Sequence, residues 1–174
     1  GFDRTLEVDA SDLEKSKKLT FTSLPEDICN RNIYIITVPT PIDHSKNPDL
    51  SYIEKACKLV GKALKGKYER CVVATKVGMK IGPNQADQGL SRKHIIRECE
   101  RSLKRLGIDR IDLYYMHKPD PGVSMEESIE AFDLLVQEGK IKHWGLSNFD
   151  AEKTQAVLHF CDTNEKTRPV AHQP

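Results

Sequence analysis

Hydrophobic residues follow two alternating periods along the second half of the chain. Short apolar runs rich in β-branched or aromatic residues cover residues 71–77, 111–116, 141–146 and 169–173, a pattern typical of buried parallel strands. Between them the apolar positions recur every three or four residues, which indicates helices. Strands and helices that alternate in this way predict an all-parallel sheet.

The predicted helices have recognisable ends. Ser91 is placed to cap the helix that follows the first of these strands, and Gly107 stands where a left-handed residue ends it. Ser124 and Glu127 form a capping-box pattern for a second helix, and Asp150 precedes a third. The result is a series of strand–helix units, as in α/β barrels and doubly wound sheets.

The first part of the chain carries a weaker pattern. Residues 19–23 alternate apolar and polar positions and predict a short strand, and residues 32–38 predict a buried strand. Asp49 then precedes an amphipathic run to Leu64, which predicts a helix. In total we expect about six strands in an all-parallel, barrel-like sheet, in which residues 32–38 pair with residues 71–77.

Composition excludes several classes of protein. The 174 residues include 27 basic and 26 acidic side chains, and no basic stripe indicates a nucleic-acid partner. No apolar run is long enough to span a membrane, and the first residues do not resemble a signal peptide. We therefore expect a cytoplasmic protein with neither nucleic acid nor a membrane as its partner.

The cysteines indicate a reducing compartment. They are widely spaced and lie in apolar contexts, so we interpret them as reduced core residues. No C-x-x-C pair occurs, and no metal site is predicted. The cysteines are Cys29, Cys57, Cys71, Cys99 and Cys161.

The candidate chemistry lies at strand ends. Lys76 and His117 stand at the C-terminal ends of successive predicted strands, where parallel α/β proteins place their active sites. Ser147 and Asn148 follow the next strand, and Gln173 lies in the last one. A lone lysine or histidine at such a position is more often a solvated strand-end or loop residue, so the surrounding motifs decide the interpretation.

Several motifs from about residue 61 onward resemble the aldo-keto reductases. The resemblance implies a partial TIM barrel and an NAD(P)H-dependent oxidoreductase that acts on a small carbonyl substrate. The matching motifs are A-T-K-V-G at residues 74–78, G-L-S-R-K-H-I at 89–95, S-L-K-R-L-G at 102–107, I-D-L-Y-Y-M-H at 111–117, G-L-S-N-F at 145–149 and the terminal Gln173.

The resemblance also implies roles for individual residues. Lys76 would lower the pKa of a proton-donating tyrosine, and His117 would orient the substrate carbonyl. Ser147, Asn148 and Gln173 would hold the nicotinamide carboxamide of NADP or NAD. We expect cofactor binding to be weak or absent, because the family's basic site for the adenosine phosphate lies on strands outside this sequence.

The proton donor of the family has no clear counterpart. The family's tyrosine and aspartate precede its A-T-K-V strand, and Tyr52 precedes Gly61 by nearly the interval that the tyrosine keeps. Asp43 or Asp49 would be the acid, but the spacing from Asp49 to Tyr52 differs from the family's. This spacing favours packing of Tyr52 in the first turn of a helix over the role of proton donor.

The first segment resembles a second family. The runs G-F-D-R-T-L-E-V, L-T-F-T-S and I-Y-I-I-T-V-P-T-P-I-D are similar to the middle of the NAD-binding domain of UDP-sugar 6-dehydrogenases. Residues 38–43 are the most specific part. The resemblance predicts a chimera, with a Rossmann-derived segment at residues 1–66 and an aldo-keto-reductase-like half-barrel at residues 67–174, sharing one sheet and joined at residues 60–66.

Three functions stay open at this point. The first is an incomplete reductase with little or no turnover, and the second is an active NAD(P)-dependent oxidoreductase completed by a partner or by Tyr52. The third is a non-catalytic, engineered or recombined α/β scaffold. Because unpaired sheet edges recruit further strands, we also expect a homodimer.

Overall fold

The computed structural model describes residues 10–15, 18, 20, 22, 24–28, 30–31, 33–36, 49–64, 66 and 70–174. The chain divides into two compact units, Gly1–Ile33 and Tyr34–Pro174. The first unit contains helix α1 (Ala10–Lys15) and a 3₁₀ helix (Pro25–Ile28). The second unit contains all the other described elements and the candidate chemistry.

The second unit alternates strands with helices, and its strands form one parallel sheet in the order β1-β2-β3-β4. This confirms the predicted α/β architecture, which corresponds to part of a TIM-like barrel. The elements are α2 (Ser51–Leu64), β1 (Ala74–Val77), a 3₁₀ helix (Gln85–Asp87), α3 (Arg92–Leu106), β2 (Ile111–Met116), α4 (Met125–Gln137), β3 (Ile141–Ser147), α5 (Ala151–Thr163) and β4 (Ala171–Gln173).

The described residues form four strands, not about six. The strand predicted at residues 32–38 is wrong for residues 33–36, which form no strand, and Ile33 and Ile35 are 79% and 80% exposed. The predicted pairing of residues 32–38 with residues 71–77 is also wrong for this part, because β1 pairs with β2 alone among the described residues. An apolar run becomes a strand only where a neighbour bonds its backbone and covers its side chains. Residues 20 and 22, the described part of the predicted 19–23 strand, are also outside any strand, and the rest of both runs lies outside the described residues.

The main core lies between one face of the sheet and its helices. Tyr114 and Met116 of β2 and Trp144 and Leu146 of β3 are all buried on this face. The Phe132 ring of α4 lies 5.2 Å from the ring centre of Tyr114 and 5.4 Å from that of Trp144. We call this side the helix-covered face.

Most helix ends form as predicted. Ser91 accepts a hydrogen bond from the His94 N–H, and Gly107 adopts the left-handed conformation at φ 68°. Ser124 accepts from the Glu127 N–H as predicted. The Glu127 carboxylate, however, accepts from the Arg92 N–H at 2.8 Å. Glu127 therefore links the starts of α3 and α4 and does not complete the predicted capping box. No helix in the described part has the length and apolar content needed to cross a membrane.

The cysteines are less uniformly buried than predicted. The four described cysteines are free thiols, of which Cys99 and Cys161 are buried and Cys57 and Cys71 are partly exposed. Burial raises the pKa of the Cys99 thiol to about 12, which makes it a poor nucleophile at neutral pH. Cys29 lies outside the described residues.

Candidate active site

The parallel strands bring most of the predicted site residues to one edge of the sheet. Lys76 lies near the end of β1, His117 directly follows β2, and Ser147 and Gln173 are the last residues of β3 and β4. In the strand register Ser147 pairs with Gln173. The carboxyl edge of the sheet therefore collects side chains that are far apart in sequence.

Lys76 is fixed on the face opposite the helices. Its Nζ donates a hydrogen bond to the Ser147 Oγ at 3.1 Å and lies 5.5 Å from the centre of the Tyr115 ring. Ser147 is buried and Lys76 is half-buried. The ammonium group therefore faces a polar cluster and an aromatic ring, and we call this side the open face.

Asn148 connects three strand ends. Its side-chain amide donates to the backbone oxygen of His117 at 2.8 Å and to the Ser147 Oγ at 3.0 Å, while its backbone N–H donates to the Gln173 oxygen at 3.0 Å. It adopts a left-handed conformation with φ 58°, which asparagine tolerates better than most residues. Asn148 thus fixes the relative positions of His117, Ser147 and Gln173.

His117 is half-buried beside this cluster. Burial, and after it the charges of Lys76 and Lys118, hold the pKa of His117 below its ordinary value. The imidazole is therefore neutral at pH 7 and can still donate one hydrogen bond. A neutral donor beside a fixed ammonium group suits the polarisation of a carbonyl oxygen.

Tyr115, and the glycine that makes room for it, are not among the residues predicted from the sequence. A Cβ atom on Gly145 would lie 2.7 Å from Tyr115 Cε1 and 2.8 Å from the Ala171 oxygen, so the ring packs directly against bare backbone. Tyr115 pairs with Lys76 on one side and with Gly145 on the other. The signal was available, because Tyr115 is two positions before His117 and must share its face of the sheet.

Tyr52 is not joined to the cluster. It lies in the first turn of α2, is 46% exposed, and has the Lys55 Nζ 5.9 Å from its ring centre. No hydrogen bond or ring contact among the described residues links it to Lys76 or His117. Asp49, one of the two candidate acids, accepts from the N–H of Ser51, the first residue of α2, at 2.9 Å. Asp43 lies outside the described residues.

A cavity of about 790 Å³ lies beside His117. It has a mainly apolar wall that includes every methionine of the sequence. Methionine side chains adapt to irregular surfaces, so this wall can fit apolar groups of varied shape. No local sequence pattern indicates the cavity, because its wall comes from four segments. The lining residues are Met79, Leu90, Met116, His117, Lys118, Pro119, Asp120, Pro121, Val123, Met125, Ser128, Asn148, Phe149 and Lys153.

Asp120 holds two of the loops around this cavity together. Its carboxylate accepts from the Leu90 N–H at 2.8 Å and from the Gly122 N–H at 2.9 Å. The Ser128 hydroxyl donates to the Leu90 oxygen at 2.9 Å. The loop before α3 is therefore bonded both to the loop after β2 and to α4.

Comparison with known proteins gives one consistent result. The model of the aldo/keto reductase family matches residues 47–174. A putative voltage-gated potassium channel subunit beta of Schizosaccharomyces pombe is 42% identical over 122 residues, which are 67% of this chain and 35% of that protein.

Other relatives have names that describe enzymes, among them the following two. The aldo-keto reductase YhdN of Bacillus subtilis is 44% identical over 98 residues, covering 55% of this chain and 30% of that protein. L-glyceraldehyde 3-phosphate reductase of Escherichia coli K12 is 32% identical over 106 residues, covering 61% and 30%. The chain spans about a third of the length of these relatives.

Proposed function

The chain belongs to the aldo/keto reductase family, and from that premise we propose that its polar cluster serves NAD(P)H-dependent reduction of a small carbonyl compound. The observation that carries the proposal is the network joining Lys76, Ser147, Asn148 and the His117 backbone at the carboxyl edge of the sheet. Packing alone does not require a buried serine and a left-handed asparagine to be fixed beside a lysine.

The residues present fit a nicotinamide carboxamide. That group needs both donors and acceptors, and Asn148 has donated both its amide hydrogens to neighbours, so its side-chain oxygen is left to accept. The Gln173 side chain is exposed next to it and makes no hydrogen bond to a described residue. When bound, the nicotinamide supplies the hydride. Ser147, Asn148 and Gln173 would orient its ring on the open face.

Lys76 and His117 would act on the substrate side. The neutral His117 imidazole can donate a hydrogen bond to a carbonyl oxygen, and the Lys76 ammonium stabilises the negative charge that develops there. Neither residue replaces the tyrosine that donates the proton in this family. General acid catalysis is worth about two to four orders of magnitude, so we expect the 174-residue chain by itself to turn over little or no substrate.

A paired measurement tests this proposal. NADPH is titrated into the purified chain while nicotinamide fluorescence is followed, and NADPH oxidation is then measured with 4-nitrobenzaldehyde. We expect weak binding that Asn148→Ala abolishes, and turnover no higher than that of a Lys76→Met variant. No binding at any concentration would contradict the assigned cofactor site. Rapid oxidation lost in Tyr52→Phe would make Tyr52 the donor and support the active-enzyme alternative.

A non-catalytic subunit is the second candidate. It is favoured by the 42% identity to a protein named as a potassium channel subunit beta. Co-purification with the cytoplasmic domain of a voltage-gated potassium channel from the same source, together with NADPH binding without turnover, would support it. Failure to co-purify, with aldehyde reduction present, would favour the reductase.

Three further proposals concern organisation. We propose that residues 1–66 derive from a UDP-sugar 6-dehydrogenase joined at residues 60–66, on the basis of the V-P-T-P-I-D motif alone; the aldo/keto reductase model begins its match at residue 47. The chain forms a homodimer in the cytoplasm, because β1 and β4 each pair on one side only in the described sheet. Light scattering over a wide concentration range tests the dimer, and a constant monomer mass would refute it.

A further inference from the structure

The cavity of about 790 Å³ has a buried end and an open side. Met116, Leu90 and Phe149, which line it, are buried, and we call these three side chains the floor. Met79 and Lys118, which also line it, are exposed, and we call them the rim. A ligand can therefore enter past the rim and reach a buried apolar end.

Hydrogen bonds hold the floor in place. The Leu90 N–H donates to the Asp120 carboxylate at 2.8 Å, and the Leu90 oxygen accepts from the Ser128 hydroxyl at 2.9 Å. The Gly89 N–H donates to the Gly78 oxygen at 3.0 Å. Because these polar groups are already paired, the surface that the floor offers to a ligand is apolar, and it favours burial of hydrocarbon.

The charged groups around the cavity are not equivalent. Three charged residues, Lys118, Asp120 and Lys153, line it. The two carboxylate oxygens of Asp120 accept from backbone N–H groups, and the Lys153 Nζ pairs with the Asp150 carboxylate. Lys118 makes no hydrogen bond or ion pair with any described residue. The rim therefore presents one ammonium group whose charge a ligand can neutralise.

We propose that the cavity is a binding site for small monocarboxylates, whose hydrocarbon group packs on the floor while the carboxylate pairs with Lys118. Its volume lies within the range of about 300–1,000 Å³ that ligand pockets commonly have. The methionines in its wall allow hydrocarbon groups of different shape to fit. Met116 lies on the helix-covered face, whereas the nicotinamide is proposed for the open face, so binding here does not depend on the proposed catalytic activity.

The distribution of charge favours a ligand with one negative group. A cation would be repelled by Lys118, and a neutral hydrocarbon would gain nothing from it. A second anionic group could pair with Lys153 only by displacing Asp150, which also caps α5. A single carboxylate is therefore the head group that fits this rim best.

The methionines provide a direct test, because all three in the sequence line the cavity. The full chain is labelled with ¹³C on the methionine methyl groups and titrated at neutral pH with hexanoate, octanoate and decanoate, each below its micelle concentration. We expect the methyl signals of Met79, Met116 and Met125 to shift together with one dissociation constant. Affinity should rise about two- to fourfold for each added methylene, because each one buries more hydrocarbon on the floor.

The head group is tested with ligands of equal chain length. Decan-1-ol should bind about two- to fivefold more weakly than decanoate, because an exposed ion pair contributes modestly, and decyltrimethylammonium should bind more weakly still. Lys118→Met should remove the difference between decanoate and decan-1-ol. Lys142→Met, which alters an exposed lysine of β3 outside the lining, should retain it.

A pair of valine variants tests the location. Val123→Phe narrows the cavity and should weaken decanoate binding several-fold, whereas Val170→Phe makes the same change at an exposed valine outside the lining and should leave binding unchanged. If Val123→Phe does not fold, the chain-length series and Lys118→Met still decide. Absence of binding, shifts confined to Met79, affinities that do not depend on chain length, or equal binding of decanoate and decyltrimethylammonium would overturn the proposal.

Discussion

The two faces of the sheet use the same strands for different purposes. On the helix-covered face, Trp144 is 1% exposed and packs against Phe132. On the open face, Lys76 and Tyr115 stay half-buried and contact each other. Because strand side chains alternate, adjacent residues such as Tyr114 and Tyr115 belong to different environments. Stability is therefore concentrated on one face, which leaves the other free to hold polar groups.

Trp144→Ala should cause the largest loss of stability. Removing a buried aromatic ring leaves a cavity against Phe132 and costs about 3–5 kcal/mol, and the Thr167 oxygen loses the hydrogen bond from the indole N–H. The change is measured by urea unfolding followed by circular dichroism. Fluorescence is unsuitable because Trp144 is the only tryptophan of the sequence and the variant lacks it. Tyr115→Ala, on the other face, is the matched control and should cost about half as much or less. Equal losses would refute the division between the faces.

Gly145→Ala should have an intermediate effect. The new methyl group would meet the Tyr115 ring and the Ala171 backbone oxygen at distances below 3 Å, and overpacking of this kind costs about 1–3 kcal/mol. Adding Tyr115→Ala should recover only part of the loss, because the clash with the backbone oxygen stays. Full recovery in urea unfolding of the double variant would show that the ring alone requires glycine here.

Lys76→Met should leave stability almost unchanged, within about 0.5 kcal/mol. The Ser147 hydroxyl loses one donor but keeps its hydrogen bond from the Asn148 amide. The unfolding midpoint should match that of Lys142→Met, which alters an exposed lysine of β3. A loss above about 2 kcal/mol would mean that the polar cluster of the open face also stabilises the fold.

The pH dependence of His117 should be the smallest effect. Its pKa is lowered in the folded state, so between this lowered value and the ordinary histidine pKa the unfolded chain binds more protons. Stability from this residue is therefore complete above the ordinary pKa and is lost as the pH falls toward the lowered one. His117→Gln should reduce the acid-dependent loss in urea unfolding, while His94 keeps a loss of the same sign. An unchanged pH profile would contradict this.

The sequence predicted what local patterns determine. Strand β2 and the caps at Ser91 and Gly107 were predictable because each depends on side chains a few residues apart. The apolar run at residues 32–38 predicted a strand, and this prediction is wrong for residues 33–36. A strand forms only beside a partner strand, and the run itself does not encode that partner.

The site was predictable only in part, for a similar reason. That Lys76, His117 and Ser147 lie at the same edge of the sheet was predictable, because parallel strands place their carboxyl ends together. The Asn148 hydrogen bonds and the packing of Tyr115 on Gly145 depend on the exact approach of three strands. The cavity depends on loops that meet only after the sheet has formed.

The order of the strands in the sheet is also their order along the chain. In the described sheet each strand pairs with the strand that precedes it in the chain, so its partner has already been synthesised. Contacts between neighbouring segments close small loops, which favours rapid folding. During translation the sheet can therefore grow one strand–helix unit at a time as the polypeptide leaves the ribosome.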